Sequence, residues 1–122
     1  MASISEAEAQ VMEVLWAHSP LATEDIAAAL QGHQGWQLAT IKTLLNRLLN
    51  KGAITAQKDG RRYLYSPLLQ RGAWVNEQAS GLLDRLFGGS LAPLVAQFTS
   101  QRKLKAADLA AIKQLLKDYE RG

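Results

Sequence analysis

Trp36-Gln37-Leu38-Ala39-Thr40-Ile41-Lys42-Thr43-Leu44-Leu45-Asn46-Arg47-Leu48-Leu49-Asn50-Lys51-Gly52 is the stretch whose reading decides the fold. Ile41, Leu44, Leu45 and Leu48 recur at helical spacing, so a helix here carries one apolar stripe. Its other side holds Ala39, Thr43, Asn46 and Asn50, flanked by Thr40, Lys42 and Arg47, with no carboxylate among them. Short hydroxyl and amide groups beside cations suit base edges and phosphates in a major groove. Gly52 is placed to end the helix in a left-handed turn. Neither Gln37 nor Leu38 is a favoured N-cap, so the helix start is set only to within a residue or two.

Downstream the period changes from helix to strand. Ile54 to Lys58 reads as a strand, Asp59-Gly60 as a two-residue turn and Arg61 to Ser66 as the return strand. That turn sets Lys58 opposite Arg61, Ala56 opposite Tyr63 and Ile54 opposite Tyr65, with Ile54, Ala56, Tyr63 and Tyr65 on one inward face. Lys58, Arg61 and Arg62 crowd the tip, where like charges face each other at a cost that bound phosphate would relieve. A polar-faced helix followed by a basic-tipped hairpin predicts a winged helix-turn-helix.

Upstream, Ser5-Glu6-Ala7-Glu8 reads as a capping box opening a helix that runs to about His18 and buries Ala7, Val11, Val14 and Leu15. Trp16 reads as core or rim packing. Thr23 is the next expected N-cap, with Glu24 and Asp25 in the first turn, Ile26, Ala27 and Leu30 as the apolar face, and Gln31-Gly32 as the end. With the organising helix it makes the helix-turn-helix pair. Downstream of Pro67 a helical pattern begins near Arg71, with Val75, Ala79, Leu82, Leu83 and Leu86 as its face, and Gly88-Gly89 breaks it. Ser90 can cap a short segment carrying Leu94, Val95 and Phe98. A last helix over about Ala106 to Glu120 spaces Leu109, Ile112, Leu116 and Tyr119 by three or four. Three short amphipathic segments cannot all bury their faces on so small a head, and pairing with a second chain would bury them. The division expected is residues 1–69 as the DNA-binding domain and 70–122 as a helical dimerisation region, using Leu82, Leu86, Phe98, Leu109, Ile112, Leu116 and Tyr119.

Composition narrows the function classes. The chain has 122 residues, 48% hydrophobic and 20% charged, which is enough for a packed core and too apolar for disorder. There is no cysteine, which excludes disulfides, thiolate metal sites and cysteine nucleophiles and is compatible with the reducing cytoplasm. No apolar run approaches membrane-spanning length and no secretory signal is evident, so no membrane insertion is expected. Residues 1–35 hold five carboxylates and no Lys or Arg, whereas residues 36–66 hold six cations against Asp59 alone. A positive field concentrated on the helix and hairpin favours a polyanion partner, although a solvated surface would look the same in composition. No Walker loop, HExxH or Gly-x-Ser-x-Gly occurs, and His18 and His33 have no ligand pattern around them, so no enzyme, metal or cofactor is expected.

Several blocks together carry a resemblance: Ile4-Ser5-x-Ala7-Glu8-x-x-Val11-Met12-x-x-x-Trp16, then Trp36-x-x-x-Thr40-Ile41-x-Thr43-Leu44-x-x-Arg47-Leu48-x-x-Lys51-Gly52, then Lys58-Asp59 ahead of Tyr63 and Tyr65, and Gly88-Gly89-x-x-x-x-Leu94-Val95-x-x-Phe98. In these the chain resembles the BlaI/MecI-type penicillinase repressors, a family that also includes the CopY-type copper repressors. The resemblance implies a dimeric winged-helix repressor on inverted-repeat operators before resistance or metal-homeostasis genes. It places Thr40, Lys42, Thr43 and Arg47 on the DNA-reading helix, and Arg61 and Arg62 on the wing. Copper-type members carry a C-terminal cysteine cluster that this chain lacks. Penicillinase-type members are inactivated by cleavage of an Asn-Phe bond, under a membrane sensor protease. The aligned bond here is Gln97-Phe98, whose extra methylene departs from that pattern, and the same two residues also read as ordinary helix packing.

The expectation is thus a dimeric, sequence-specific DNA-binding repressor of antibiotic-resistance or stress genes. Ala39, Thr40, Lys42, Thr43 and Asn46 are its base readers, and Arg47, Lys58, Arg61 and Arg62 its phosphate contacts. The alternative is a winged-helix protein-interaction module, with its acidic first helix as the docking face. An RNA-binding role is weaker, because both hairpin tyrosines point inward and leave no stacking platform.

Overall fold

The computed structural model describes residues 3–122, with the side chains of residues 33 and 34 outside that description, so the expectation for His33 lies beyond it. The elements in order are α1 (Glu6–Ala17), α2 (Thr23–Gln34), α3 (Leu38–Asn50), β1 (Ile54–Asp59), β2 (Arg62–Pro67), α4 (Arg71–Phe87), α5 (Leu91–Ser100) and α6 (Ala106–Glu120). They fall into two compact units, Met1–Val75 and Asn76–Gly122.

In the first unit the capping box forms as the residues dictate. The Glu8 amide donates to the Ser5 hydroxyl at 3.1 Å, and the Ser5 amide donates to the Glu8 carboxylate at 2.7 Å. The buried side of α1 is turned by about one residue from the expected face. Val11, Met12 and Leu15 are fully buried, while Ala7 and Val14 are only partly covered. Glu8 is buried with them because its carboxylate, already committed to the cap, also accepts an ion pair from Lys51 Nζ. Helix α2 begins one residue earlier than its hydroxyl suggested: Ala22 is the N-cap, and the Asp25 carboxylate accepts from the Ala22 amide at 3.4 Å. It also continues through Gly32 to Gln34 and ends at Gly35, whose φ of +62° supplies the left-handed cap.

Helix α3 buries Ile41, Leu44, Leu45 and Leu48 as its spacing required. Its N-cap, Gln37, makes no side-chain cap bond. Its far end is a Schellman motif: the Gly52 amide donates to the Leu49 carbonyl at 3.1 Å and the Ala53 amide to the Leu48 carbonyl at 3.0 Å, with Gly52 at φ +75°. Leu48 and Ala53 are both fully buried, so this cap is locked by the core. That core joins α1, α2 (Ile26, Leu30), α3 and Ile54 at the base of β1.

The hairpin register differs from the expected one by two residues. Ala56 pairs with Tyr65, Lys58 with Tyr63 and Asp59 with Arg62, which leaves Gly60-Arg61 as the turn. Gly60 has φ +66° and Arg61 does not enter the positive region, the pattern of a type II′ turn with glycine first. A shift of two keeps every side chain on its expected face, because the strand period is two. It does remove the Lys58–Arg61 opposition. The hairpin is held to the head by an antiparallel bridge in which Leu21 and Tyr65 exchange amide-to-carbonyl bonds at 3.1 and 2.8 Å.

After the hairpin, the Trp16 indole donates to the Leu69 carbonyl at 2.8 Å and its ring lies 5.4 Å from that of Trp74. The Arg71 guanidinium donates to both oxygens of Glu13 at 2.8 and 3.3 Å. In the second unit α5 and α6 bury no residue fully. Ser90 sits at the N-cap of α5 without a side-chain bond, and the helix extends through Ser100. It closes as a second Schellman motif with Arg102, at φ 54°, where a glycine is usual.

Candidate nucleic-acid interface

The outer side of α3 is open along its length. Ala39, Thr40, Lys42, Thr43, Asn46, Arg47 and Asn50 are all exposed, while the four apolar residues between them are buried. The amphipathic division is physical, since the buried stripe fixes the helix roll and the roll presents the polar groups. Thr43 is more constrained than its position on the helix implied: its hydroxyl donates to the Ala39 carbonyl at 3.0 Å. Outward it therefore offers lone pairs and a methyl group, not a free O–H.

Lys42 and Asn46, one turn apart, share a cleft of about 290 Å³ with Thr23, Glu24, Arg61, Arg62, Tyr63 and Tyr65. One edge of α3, the first turn of α2 and the hairpin's turn and return strand thus face a common space. Arg47 is exposed on the same helix, and Lys58 is exposed on β1 opposite Tyr63. The cationic count drops where cations find partners. Arg62 lies 3.6 Å from Asp59, both more than half exposed, so this pair is weak in water. Lys51, counted among the six cations, is spent on Glu8 and on the Ser3 carbonyl at 3.0 Å.

Tyr63 is half exposed, at 50%, and lines the cleft instead of packing into the core, a correction to its inward assignment. Sequence reasoning also missed Glu24 as a member of this cleft. The signal available, two acids in a first turn, reads equally well as a helix-start preference. The Glu8–Lys51 pair was missed as well. A carboxylate at helical spacing from Val11, Met12 and Leu15 was its only trace.

The residues expected to dimerise are uncovered within the second unit. Leu86 is 66% exposed, Leu116 55% and Tyr119 84%, with Phe98 and Leu109 also exposed and Leu82 and Ile112 half-buried. Gln97 and Phe98 lie inside α5, where the Gln97 carbonyl accepts from the Ser100 hydroxyl and the Phe98 carbonyl from the Lys103 amide, both at 3.0 Å. Among the described residues no cluster of His, Asp or Glu is arranged to hold a metal ion, and no helix is long and apolar enough to cross a membrane.

A three-helix head with a hairpin wing and an open, carboxylate-free side on its third helix defines a winged helix-turn-helix transcription regulator. Known proteins narrow the class. The penicillinase repressor family model matches residues 4–118. The penicillinase repressor of Bacillus licheniformis is 31% identical over 117 residues, covering 96% of this chain and 91% of the relative. The solved DNA-binding domain of the repressor BlaI is 39% identical with a TM-score of 0.53, over 57% of this chain and 84% of that one. The Bacillus licheniformis BlaI monomer in complex with the blaP half-operator is 38% identical with a TM-score of 0.51, over 58% and 87%. The chain belongs to the penicillinase repressor family, whose members are transcriptional repressors and not enzymes.

Proposed function

We propose that this chain is a homodimeric, sequence-specific repressor that occupies an inverted-repeat operator in the cytoplasm. The observation that carries this reading is the outer side of α3, wholly exposed and polar, with Lys42 and Arg47 and no carboxylate. Ala39, Thr40, Lys42, Thr43 and Asn46 meet base edges in the major groove. Arg47, Lys58, Arg61 and Arg62 meet phosphates, and the wing follows the adjacent strand. The solved complex of the related BlaI monomer with a half-operator supports the same use of the head. Leu82, Leu86, Phe98, Leu109, Ile112, Leu116 and Tyr119 join two copies, so that two heads reach two half-sites. The regulated genes are those of antibiotic resistance or stress, in keeping with the related penicillinase repressor.

A mobility-shift titration on a cognate and a scrambled duplex tests the reading. Because the Thr43 hydroxyl hydrogen is committed to Ala39, its lone pairs accept from a base amino group. Thr43→Val therefore loses about 1–3 kcal/mol on the cognate duplex and little on the scrambled one. Equal losses on both would remove Thr43 as a reader. Retention of neither duplex by the wild type at low salt would favour the protein-interaction reading.

Release by a membrane sensor protease at Gln97-Phe98 requires α5 to unwind first, since both flanking carbonyls are engaged in the helix and its cap. The same two residues serve packing between copies without any such step.

A further inference from the structure

The cleft between α3 and the wing contains one group of the wrong sign for its proposed use. Lys42, Arg61 and Arg62 face it, with Asn46, Thr23 and the two tyrosines, and so does the carboxylate-bearing Glu24. Glu24 is exposed at the second position of α2, and among the described residues it makes no ion pair within 4.0 Å. A phosphate strand entering between the recognition helix and the wing runs past this carboxylate. The carboxylate cancels part of the field of the cations around it and repels the phosphate directly.

We propose that Glu24 is an affinity-setting residue that holds binding to all DNA below what the cleft's cations could deliver. This rests on the DNA-binding reading above and adds to it a brake built into the same cleft. The role is electrostatic and independent of sequence, because the carboxylate acts on the backbone and not on a base pair. The competing role for a carboxylate in a groove is to accept from the cytosine amino group, and that role is sequence-dependent. The wing favours the first: Arg61 and Arg62, the two phosphate contacts that line the cleft with Glu24, belong to it.

The test is Glu24→Gln in the full chain, with Glu6→Gln as a control. Glu6 is an exposed carboxylate in the first turn of α1, outside this cleft, and changes the net charge by the same amount. With the carboxylate gone, the cleft of each head can neutralise one more phosphate, which steepens the plot of log K against log salt by about 0.9 per head and tightens binding to one half-site roughly eightfold near 0.1 M salt. The gain is expected on cognate and scrambled duplexes alike, and not with Glu6→Gln. A thermal melt of each variant monitors folding, and a gain in affinity cannot come from partial unfolding. An unchanged affinity with Glu24→Gln overturns the proposal. So does an equal gain with Glu6→Gln, which assigns the effect to net charge. So does a loss confined to duplexes with a particular G·C pair, which makes Glu24 a base reader. A wild type that holds no duplex at low salt defeats the DNA-binding reading itself; a wild type that binds, with Glu24→Gln no tighter, defeats only the brake.

Discussion

At the residue scale, Glu8 shows how one side chain can tie the start of one helix to the end of another. Burial alone would raise its pKa. The Lys51 ammonium and the Ser5 amide and hydroxyl outweigh that and hold the carboxyl below its ordinary 4.5. A carboxyl that titrates lower when folded contributes stability that is complete above the unfolded value and lost as pH falls through the folded one. Thermal melts of the wild type should therefore weaken below about pH 4.5, and Glu8→Gln should flatten that part of the profile. At neutral pH the same substitution should cost about 1–3 kcal/mol, because Lys51 loses its charged partner but is exposed enough to regain water. A pH profile identical in the two proteins would remove Glu8 from the acid response. Since Lys51 is the C-cap of α3, the pair also links the start of α1 to the end of α3.

At the element scale, the elements that periodicity could reach were legible and their ends were less so. The α3 stripe and its glycine stop were readable because burial and the left-handed cap both act through local sequence. The α2 boundaries were not. Asp25 reaches back to the Ala22 amide and so starts the helix before the Thr23 hydroxyl would cap it, and a glycine inside a helix costs too little to end it. The alternation of the hairpin was legible, apart from Tyr63, but its register was not, since Asp59-Gly60 and Gly60-Arg61 are both acceptable two-residue turns and differ only in which turn type they form. The observed turn puts the strain on Gly60, so Gly60→Ala should destabilise the head by about 1–2 kcal/mol. Chemical denaturation checks it, and a neutral result would mean that the wing relaxes into another turn. In the second unit Arg102 accepts a backbone conformation that glycine adopts freely, and no sequence signal marked that site.

At the scale of the whole molecule, apolar surface left open in Asn76–Gly122 is what the proposed pairing of two copies would cover. Leu86, Leu115, Leu116 and Tyr119 are each more than half exposed, and a covered face would stabilise helices that are marginal alone. Leu116→Glu should convert a dimer to a monomer by sedimentation. It should weaken binding to a full inverted repeat by roughly 10²–10⁴, the gain that linking two heads supplies, while leaving half-site binding nearly intact. A wild type that sediments as a monomer at every concentration would refute the pairing.

The amino-acid sequence by itself determined the winged head: its helices, its hairpin and the polar outer side of α3 follow from local periodicity and spacing, and its motif blocks resemble one family. Only the tertiary structure decided which charges are available. Lys51 is drawn into an ion pair with Glu8 from 43 residues away, and Glu24 is brought in among the cations of the wing. The reason is that helix and strand periods are set by neighbours along the chain, whereas a charge is paired or left open by groups that only folding brings near.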